Sequence, residues 1–256
     1  MVNNTMSPKW KYVRKSITNE TAGLVGTGHF PPMYDLSSPD IRCGRNSTGS
    51  GPESDVAIVN AGSKVGFRLD YYPRGFCINC GQPQSMYFHD GALFAYLSRS
   101  PIQSNEGLQK WDGDGDFFKF TERGPDDDRG WFYNVVRDNW NVTIPKATPP
   151  GFYLLRVESL YPWNAFNKTQ FYASCVQVEI RGPGGSSEPG PTVRFPGAFN
   201  NYDPGVLLPS DVSYGKWCNY KMPGPKVWRG EGDEGNGTTY CRPYVAASGP
   251  SIPVGP

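Results

Sequence analysis

The chain carries almost no net charge and has no long apolar run. Its 256 residues have a formal charge of +1 and a sequence pI of about 7.5. These values exclude the basic surface typical of proteins that bind nucleic acid or anionic membranes. No stretch reaches the roughly 18 apolar residues that a membrane-spanning helix needs. We therefore expect neither nucleic acid nor membrane as a partner, whereas a neutral polymer such as a polysaccharide fits the composition.

Common catalytic and targeting motifs are missing as well. The sequence has no Gly-x-Ser-x-Gly element and no phosphate-binding loop. Residues 1–8 contain neither a basic segment nor an apolar run, so they do not form a signal peptide. Residues 112–116 resemble the start of a calcium loop, but Phe117 and Arg123 stand where that loop requires glycine and glutamate. We interpret this segment as a solvated turn.

Aromatic and turn-forming residues are abundant instead. The chain has 15 tyrosines, 14 phenylalanines and 7 tryptophans, which supply large buried areas for a core. Its 31 glycines and 25 prolines favour short strands joined by many turns over long helices. We therefore predict an all-β fold, an immunoglobulin-like antiparallel β-sandwich with long loops. The strand-like segments, most of which alternate apolar and polar residues, are 10–14, 56–59, 65–70, 93–97, 117–120, 140–144, 151–158 and 175–180.

The sandwich core is expected to end near Ile180. A Gly- and Pro-rich break follows over residues 181–191, and strand signals are few after it. We predict a β-sandwich core over residues 1–181, a C-terminal extension packed on that core over 182–245, and a disordered tail over 246–256.

Cysteines and glycosylation sequons point to an oxidising compartment. Six Asn-x-Ser/Thr sequons occur where roughly two would arise by chance, which argues for a secreted, extracellular glycoprotein with disulfide bonds. Because no export signal is present, we expect that the native beginning of the protein lies upstream of Met1. The sequon asparagines are Asn3, Asn19, Asn46, Asn141, Asn167 and Asn236, and the cysteines are Cys43, Cys77, Cys80, Cys175, Cys218 and Cys241.

A set of short motifs runs in a fixed order from about residue 10 to residue 229. The motifs are residues 39–46, 61–65, 116–120, 142–145, 150–158, 170–172, 196–199, 203–207 and 223–228. Together they resemble the fungal lytic polysaccharide monooxygenases of auxiliary activity family 9. The resemblance implies a secreted β-sandwich whose flat face docks on crystalline polysaccharide and whose copper ion serves oxidative cleavage of the glycosidic linkage.

The resemblance also implies a set of site residues. In that family a copper ion is held by the N-terminal amine and imidazole of residue 1, by a second imidazole and by a distant axial tyrosine, and imidazole is a ligand that suits copper. His89 falls where the second imidazole is expected, and Tyr172 matches the axial tyrosine. Gln170, two residues earlier on the same strand face, matches the catalytic glutamine that hydrogen-bonds the activated oxygen. The chain's other histidine, His29, is expected to be exposed and to have no function at the site.

Two positions depart from the family pattern. The chain does not begin with histidine, and residue 1 of a family member would align just upstream of Met1. Copper is therefore expected only if the native N-terminus supplies His, and otherwise no cofactor is expected. Trp163 stands where the family has an outer-sphere histidine. Tryptophan can donate a hydrogen bond but cannot shuttle protons near neutral pH.

Three disulfides are expected. The resemblance implies Cys43–Cys175, while sequence proximity alone suggests Cys77–Cys80 and Cys218–Cys241. The Cys-x-x-Cys spacing at 77–80 also permits a zinc site, which an oxidised glycoprotein disfavours.

Two functions remain open from the sequence. One is a copper monooxygenase acting on cellulose or hemicellulose with an electron donor. The other is a family member that lacks the N-terminal copper-binding histidine. Such a protein binds cell-wall polysaccharide or surfaces and carries out no redox chemistry. In either case we expect a monomer whose flat face contacts sugars through aromatic rings. The candidate rings are Tyr202, Tyr214 and Trp217, whose alternative role is packing within the extension.

Overall fold

A computed structural model describes residues 2, 5–16, 32–68, 89, 91–127, 130–131, 140–213, 215–230 and 241. Several predictions fall on residues outside these ranges, namely those for His29, Cys77, Cys80, Tyr214, Asn3, Asn19, Asn236 and the tail 246–256. No helix in the described part of the chain is long and apolar enough to cross a bilayer.

Strands dominate the described residues, and the helices are short. The strands are β1 (Ala57–Asn60), β2 (Lys64–Phe67), β3 (Ala92–Arg99), β4 (Phe117–Arg123), β5 (Trp140–Thr143), β6 (Gly151–Tyr161), β7 (Gln170–Arg181) and β8 (Thr192–Val193). The α-helices are α1 (Asp40–Cys43), α2 (Asn105–Lys110) and α3 (Ser210–Ser213), and 3-10 turns lie at Gly51–Glu53 and Trp217–Asn219.

The strands form two sheets, as a sandwich requires. The larger sheet has the order β1-β7-β6-β3-β4-β8, and the smaller one pairs β2 with β5. All pairs are antiparallel except β1 and β7, which run parallel. The prediction of a strand over residues 10–14 was wrong, because this segment meets β7 only at an isolated bridge between Val13 and Val176. Residues 10–14 cannot pair further along the same edge of β7, because β1 pairs with that edge from Val178 onward.

Alternate residues of the large sheet build two separate apolar clusters. On one face, residues such as Leu93, Leu155 and Val178 pack against Val65 and Val142 of the small sheet. This cluster is the sandwich core. The opposite face of the large sheet is covered by α1, by α2 and by the C-terminal extension, through a second cluster. The extension contributes to it Phe195, Phe199, Val206, Leu208, Val212 and Tyr220.

The extension then crosses to the sandwich core. The backbone N–H of Trp228 donates to the carbonyl of Lys119 on β4, and the Trp228 ring packs edge-on against Phe118 at 5.1 Å between centroids. The extension therefore wraps the edge of the large sheet. The division into core, extension and tail at residues 181 and 245 stays a prediction.

A disulfide and a buried ion pair join elements of the second cluster, and a second disulfide lies within the C-terminal extension. Cys43 in α1 is bonded to Cys175 in β7, the pairing that the resemblance implies, and Cys218 is bonded to Cys241. Arg156 and Glu158 on β6 form an ion pair whose side chains are both fully buried. Arg156 also donates hydrogen bonds to the carbonyls of Ile41 and Arg42. Strand β6 is thereby anchored to α1.

Candidate metal centre

The candidate site lies where β6 ends and β7 begins. Tyr161, the last residue of β6, stands directly opposite Gln170, the first residue of β7. Side chains of an antiparallel pair that face each other point to the same side of the sheet, and residues two apart on a strand do so as well. Tyr161, Gln170 and Tyr172 therefore share one face. His89 joins them from the chain segment that leads into β3, whose first residue, Ala92, pairs with Leu160.

His89 lies in an aromatic environment. Its ring stacks on the ring of Tyr161, with centroids 4.4 Å apart and planes within 10° of parallel, and lies 6.0 Å from the ring of Tyr172. Burial lowers the pKa of His89 below its ordinary value, and a hydrogen bond with the Gln170 side chain opposes this effect. Near neutral pH the imidazole is therefore neutral, the form that coordinates a metal ion.

Gln170 and Tyr172 are joined by a short hydrogen bond. The Tyr172 hydroxyl donates to Oε1 of Gln170 over 2.5 Å. Both side chains are half-buried, whereas their neighbours Phe171 and Ala173 point to the opposite face and are buried there. The structure thus brings together the three site residues expected from the sequence, His89, Gln170 and Tyr172.

Sequence reasoning missed Tyr161. Its ring lies between His89 and Trp163, whose ring centroid is 5.5 Å from that of Tyr161. Tyr161 lies beyond the predicted end of β6 at residue 158, so its place opposite Gln170 became visible only with the pairing of β6 and β7. Counting along the sequence from Leu155 put Trp163 where the family has an outer-sphere histidine, which stays a prediction; the contact between the Trp163 and Tyr161 rings was not predicted.

The backbone of Trp163 is held from two sides. Its N–H donates to the side-chain oxygen of Thr169, and its carbonyl accepts from the N–H of Leu208. The Thr169 hydroxyl donates in turn to the carbonyl of Val206. These bonds join the loop between β6 and β7, residues 162–169, to the C-terminal extension. The loop and the extension therefore form one continuous surface beside His89.

The donor types present suit copper but do not complete a site. An imidazole from His89 and a phenol from Tyr172 lie on the same side of the sheet, and imidazole is a preferred copper ligand. Within the described residues, no group of three or more His, Cys, Asp or Glu side chains is placed to hold a metal ion. The resemblance implies two further donors, the amine and the imidazole of an N-terminal histidine, whereas the sequence given begins with Met1 and its histidines are His29 and His89.

Two of the three expected sugar-binding rings are described, and their surroundings differ. Tyr202 is 72% exposed and contacts Phe166, with ring centroids 5.1 Å apart. Trp217 is half-buried and packs edge-on against Trp131, with centroids 5.8 Å apart. Only Tyr202 is thus well exposed for stacking on a sugar.

Three of the predicted glycosylation positions are described, and all three are exposed. Asn46 follows α1, Asn141 lies on β5, and Asn167 lies in the loop between β6 and β7. Asn46 and Asn167 adopt positive φ angles of 52° and 55°, a conformation that asparagine tolerates better than most residues. Glycan attachment at these positions stays a prediction.

Comparison with known sequences points to one family. The model of auxiliary activity family 9, formerly GH61, matches residues 1–220. Lytic polysaccharide monooxygenase U of this family from Thermothielavioides terrestris is 36% identical over 244 residues, which are 90% of this chain and 90% of the relative. Lytic polysaccharide monooxygenase C from Emericella nidulans is 37% identical over 227 residues, covering 86% and 85% of the two chains.

Solved structures agree on the fold. The crystal structure of HiLPMO9B matches with a TM-score of 0.62 and 25% identity, over 79% of this chain and 85% of the other. The extended catalytic domain of LPMO9A from H. jecorina matches with a TM-score of 0.61 and 24% identity, over 88% and 81% of the two chains. The all-β sandwich expected from the sequence is thereby confirmed.

Proposed function

Since the chain belongs to auxiliary activity family 9, we propose that it is a secreted, copper-dependent polysaccharide monooxygenase that acts on cellulose or hemicellulose. The observation that carries the proposal is the meeting of His89, Gln170 and Tyr172 on one face at the junction of β6 and β7. Copper, when bound, supplies the one-electron chemistry that, with an electron donor, oxidises a C–H bond at the glycosidic linkage. The protein would work as a monomer outside the cell.

His89 would hold the ion through a ring nitrogen, and the phenol of Tyr172, whose ring lies 6.0 Å from that of His89, would be a further oxygen donor. Burial keeps the His89 imidazole neutral, so that its lone pair is available near neutral pH. Stacking on Tyr161 limits rotation of the imidazole, which supports a fixed ligand direction. Two further nitrogen donors, from a histidine at the mature N-terminus, would complete a chelate.

Gln170 would act beside the ion rather than on it. Its Oε1 accepts a hydrogen bond from the Tyr172 hydroxyl. The N–H groups of its amide nitrogen Nε2 can therefore donate toward a substrate oxygen. Trp163 replaces the outer-sphere histidine of the family, so a proton needed at this position has to come from another group.

Calorimetric titration of the mature secreted protein with Cu(II) tests the proposal. We expect tight one-to-one binding that His89→Ala weakens by more than about 100-fold, because even outer partners of a ligand contribute about 10- to 100-fold. His29→Ala is the matched control, since the sequence has only these two histidines. Oxidised oligosaccharides released from cellulose in the presence of a reductant should be lost with His89→Ala as well. If the mature protein binds copper no better than the His89→Ala variant, the proposal fails and polysaccharide binding without redox chemistry takes its place.

A further inference from the structure

A cavity that opens to solvent lies at the edge of the large sheet, far from the candidate metal centre. It is formed between the N-terminal segment, residues 2–12, and the start of β1, and its volume is about 390 Å³. Sites for small molecules have volumes of this order. Ile58, which lines the cavity, pairs with Glu179, nine residues along β7 from Gln170, which is about 30 Å away.

The path of the N-terminal segment creates the cavity. A β-bridge to Val65 fixes Val2 at one end, and the N–H of Asp55 donates to the carbonyl of Lys11 at the other end, over 2.7 Å. The turn before Lys11 holds Trp10 at a positive φ of 62°. Such a conformation is strained for a bulky residue and is common at ligand sites. Because the segment is fixed at both ends before any ligand arrives, binding costs little additional conformational entropy.

Much of the cavity wall is apolar and accessible. Met6 and Ile58 are 46% and 45% exposed, and exposed apolar side chains that share a concave surface are typical of ligand-binding grooves. The thioether of methionine adapts its shape and contacts aromatic rings favourably. The wall therefore suits an aromatic body. Its apolar residues are Val2, Met6, Pro8, Tyr12, Val56 and Ile58.

One side chain of the described wall carries a positive charge. The ammonium group of Lys11 lies 5.2 Å from the centroid of the Tyr12 ring, which lines the same cavity. No carboxylate in the described part of the chain forms an ion pair with Lys11, and the hydroxyl of Ser7, also in the wall, has no hydrogen-bond partner there. A ligand thus finds one cation and one hydroxyl beside an apolar surface.

Two carboxylates lie close to the cavity, and neither lines it. Asp55 is exposed and meets Lys11 through its backbone N–H. Glu179, which pairs with Ile58, forms an ion pair with Arg181 over 2.8 Å. The positive charge of Lys11 is therefore not neutralised by either group and attracts an anionic ligand.

We propose that this cavity binds a small aromatic carboxylate, with the carboxylate on Lys11 and the aromatic ring against Met6 and Ile58. The inference does not depend on the proposed function, because the cavity is separate from the candidate metal centre. A neutral ligand of the same shape gains the apolar contacts without the ion pair. Acetate gains only the ion pair, since it has no apolar body.

Titration of the copper-free full chain with 3-phenylpropionate, followed by amide NMR spectra, tests this site. Every sample carries Asn3→Gln, because Asn3 begins a predicted sequon and a glycan so close in sequence to Thr5 would compete for the opening. The amide resonances of residues 5–12 and 56–58 should shift, and those of Gln170 and Tyr172 should stay in place. The neutral 3-phenylpropanamide should bind about fivefold more weakly, the upper end for one exposed ion pair.

Three variants separate the charge from the apolar wall. Lys11→Gln should weaken binding of 3-phenylpropionate about fivefold and leave the amide unchanged. Ile58→Ala should weaken both probes about threefold, because apolar contact is lost. Lys146→Gln, which removes an exposed lysine outside the cavity, is the matched control and should change neither. Absence of binding, equal affinity of the two probes for the parent protein, or an equal loss in Lys146→Gln and Lys11→Gln would overturn the inference.

Discussion

The buried ion pair on β6 offers a direct test of what holds the large sheet to α1. Both side chains of the pair, Arg156 and Glu158, are fully buried, and two hydrogen bonds of 2.7 and 2.8 Å join them. The guanidinium group also lies 3.7 Å from the centroid of the Phe195 ring. Glu158→Gln removes the negative charge while keeping the shape of the side chain. The Arg156 charge then stays buried with only neutral partners.

Loss of one partner of a buried ion pair costs about 3–5 kcal/mol in general. We expect the lower end, about 3 kcal/mol, because Arg156 retains the carbonyls of Ile41 and Arg42 and can still donate to the glutamine oxygen. Such a loss is large against the roughly 5–15 kcal/mol by which folded domains are stable. The matched control is Glu179→Gln on β7, whose partner Arg181 is likewise two residues away but exposed. This control should lose far less stability than Glu158→Gln, because solvent screens an exposed ion pair.

Guanidinium unfolding with the disulfides intact, followed by tryptophan fluorescence, measures both losses. The midpoint should fall for Glu158→Gln with an unchanged slope, since the slope reports the surface exposed on unfolding. Replacing the pair together, Arg156→Met with Glu158→Leu, should restore only part of the stability, because no charge is left buried but the carbonyls of Ile41 and Arg42 lose their donor. A Glu158→Gln variant within 1 kcal/mol of Glu179→Gln would refute the assignment of a strong buried pair.

Three further predictions concern the long disulfide, a buried phenol and the stacked histidine. Replacing Cys43 and Cys175 together by alanine should cost roughly 5 kcal/mol in guanidinium unfolding, because the bond spans 132 residues of sequence; a loss below 2 kcal/mol would contradict this. Burial raises the pKa of Tyr153 to about 12, above the value of about 10 in an unfolded chain. The protonated Tyr153 phenol therefore contributes its full stability below pH 10, and this contribution is lost as the pH rises toward 12. Between pH 9 and 11 the free energy of unfolding should accordingly fall less in the Tyr153→Phe variant than in the parent protein. Tyr161→Leu should shift the His89 ring-proton resonances downfield by removing the stacked ring, whereas Tyr161→Phe should leave them in place. Identical spectra for the leucine and phenylalanine variants would show that the stacking is absent in solution.

Alternation of apolar and polar residues predicted most strands but not their ends. The pattern indicated strands at 151–158 and 175–180, whereas β6 extends to Tyr161 and β7 begins at Gln170. The missing residues alternate in burial: Leu160, Phe171 and Ala173 are buried on one face, whereas Tyr161 and Tyr172 are half-buried on the face of the candidate site. Because aromatic residues occupy both faces there, apolar and polar residues do not alternate in the sequence, and the pattern does not identify the strand ends.

The alternation of apolar and polar residues also could not predict whether neighbouring strands run parallel or antiparallel. Residues 56–59 were expected in an antiparallel sheet, but β1 runs parallel to β7 at the edge of the large sheet. Alternation reports which face of a strand is buried and carries no information on the direction of its neighbour. The direction is set by the connections, which here lead β1 into the small sheet through β2.

The candidate site was predictable to the extent that it follows from short motifs. His89, Gln170 and Tyr172 were found because each sits in a segment that resembles the family, and the structure brings them together. Tyr161 was not identified from the sequence, because its position opposite Gln170 follows from the register of β6 and β7 and not from a motif. The same holds for Phe166, which meets Tyr202 only when the extension folds back along the loop.

Strand β6 links the stability of the fold to the geometry of the site. Its residues Arg156 and Glu158 point to the face covered by α1 and the extension, while Tyr161 points to the other face and stacks on His89. Because a shift of one residue in the pairing of β6 would exchange these faces, the ion pair and the buried apolar residues of β6 together favour the register that places Tyr161 opposite Gln170. Residues that do not contact the site therefore contribute to the strand register on which the site depends.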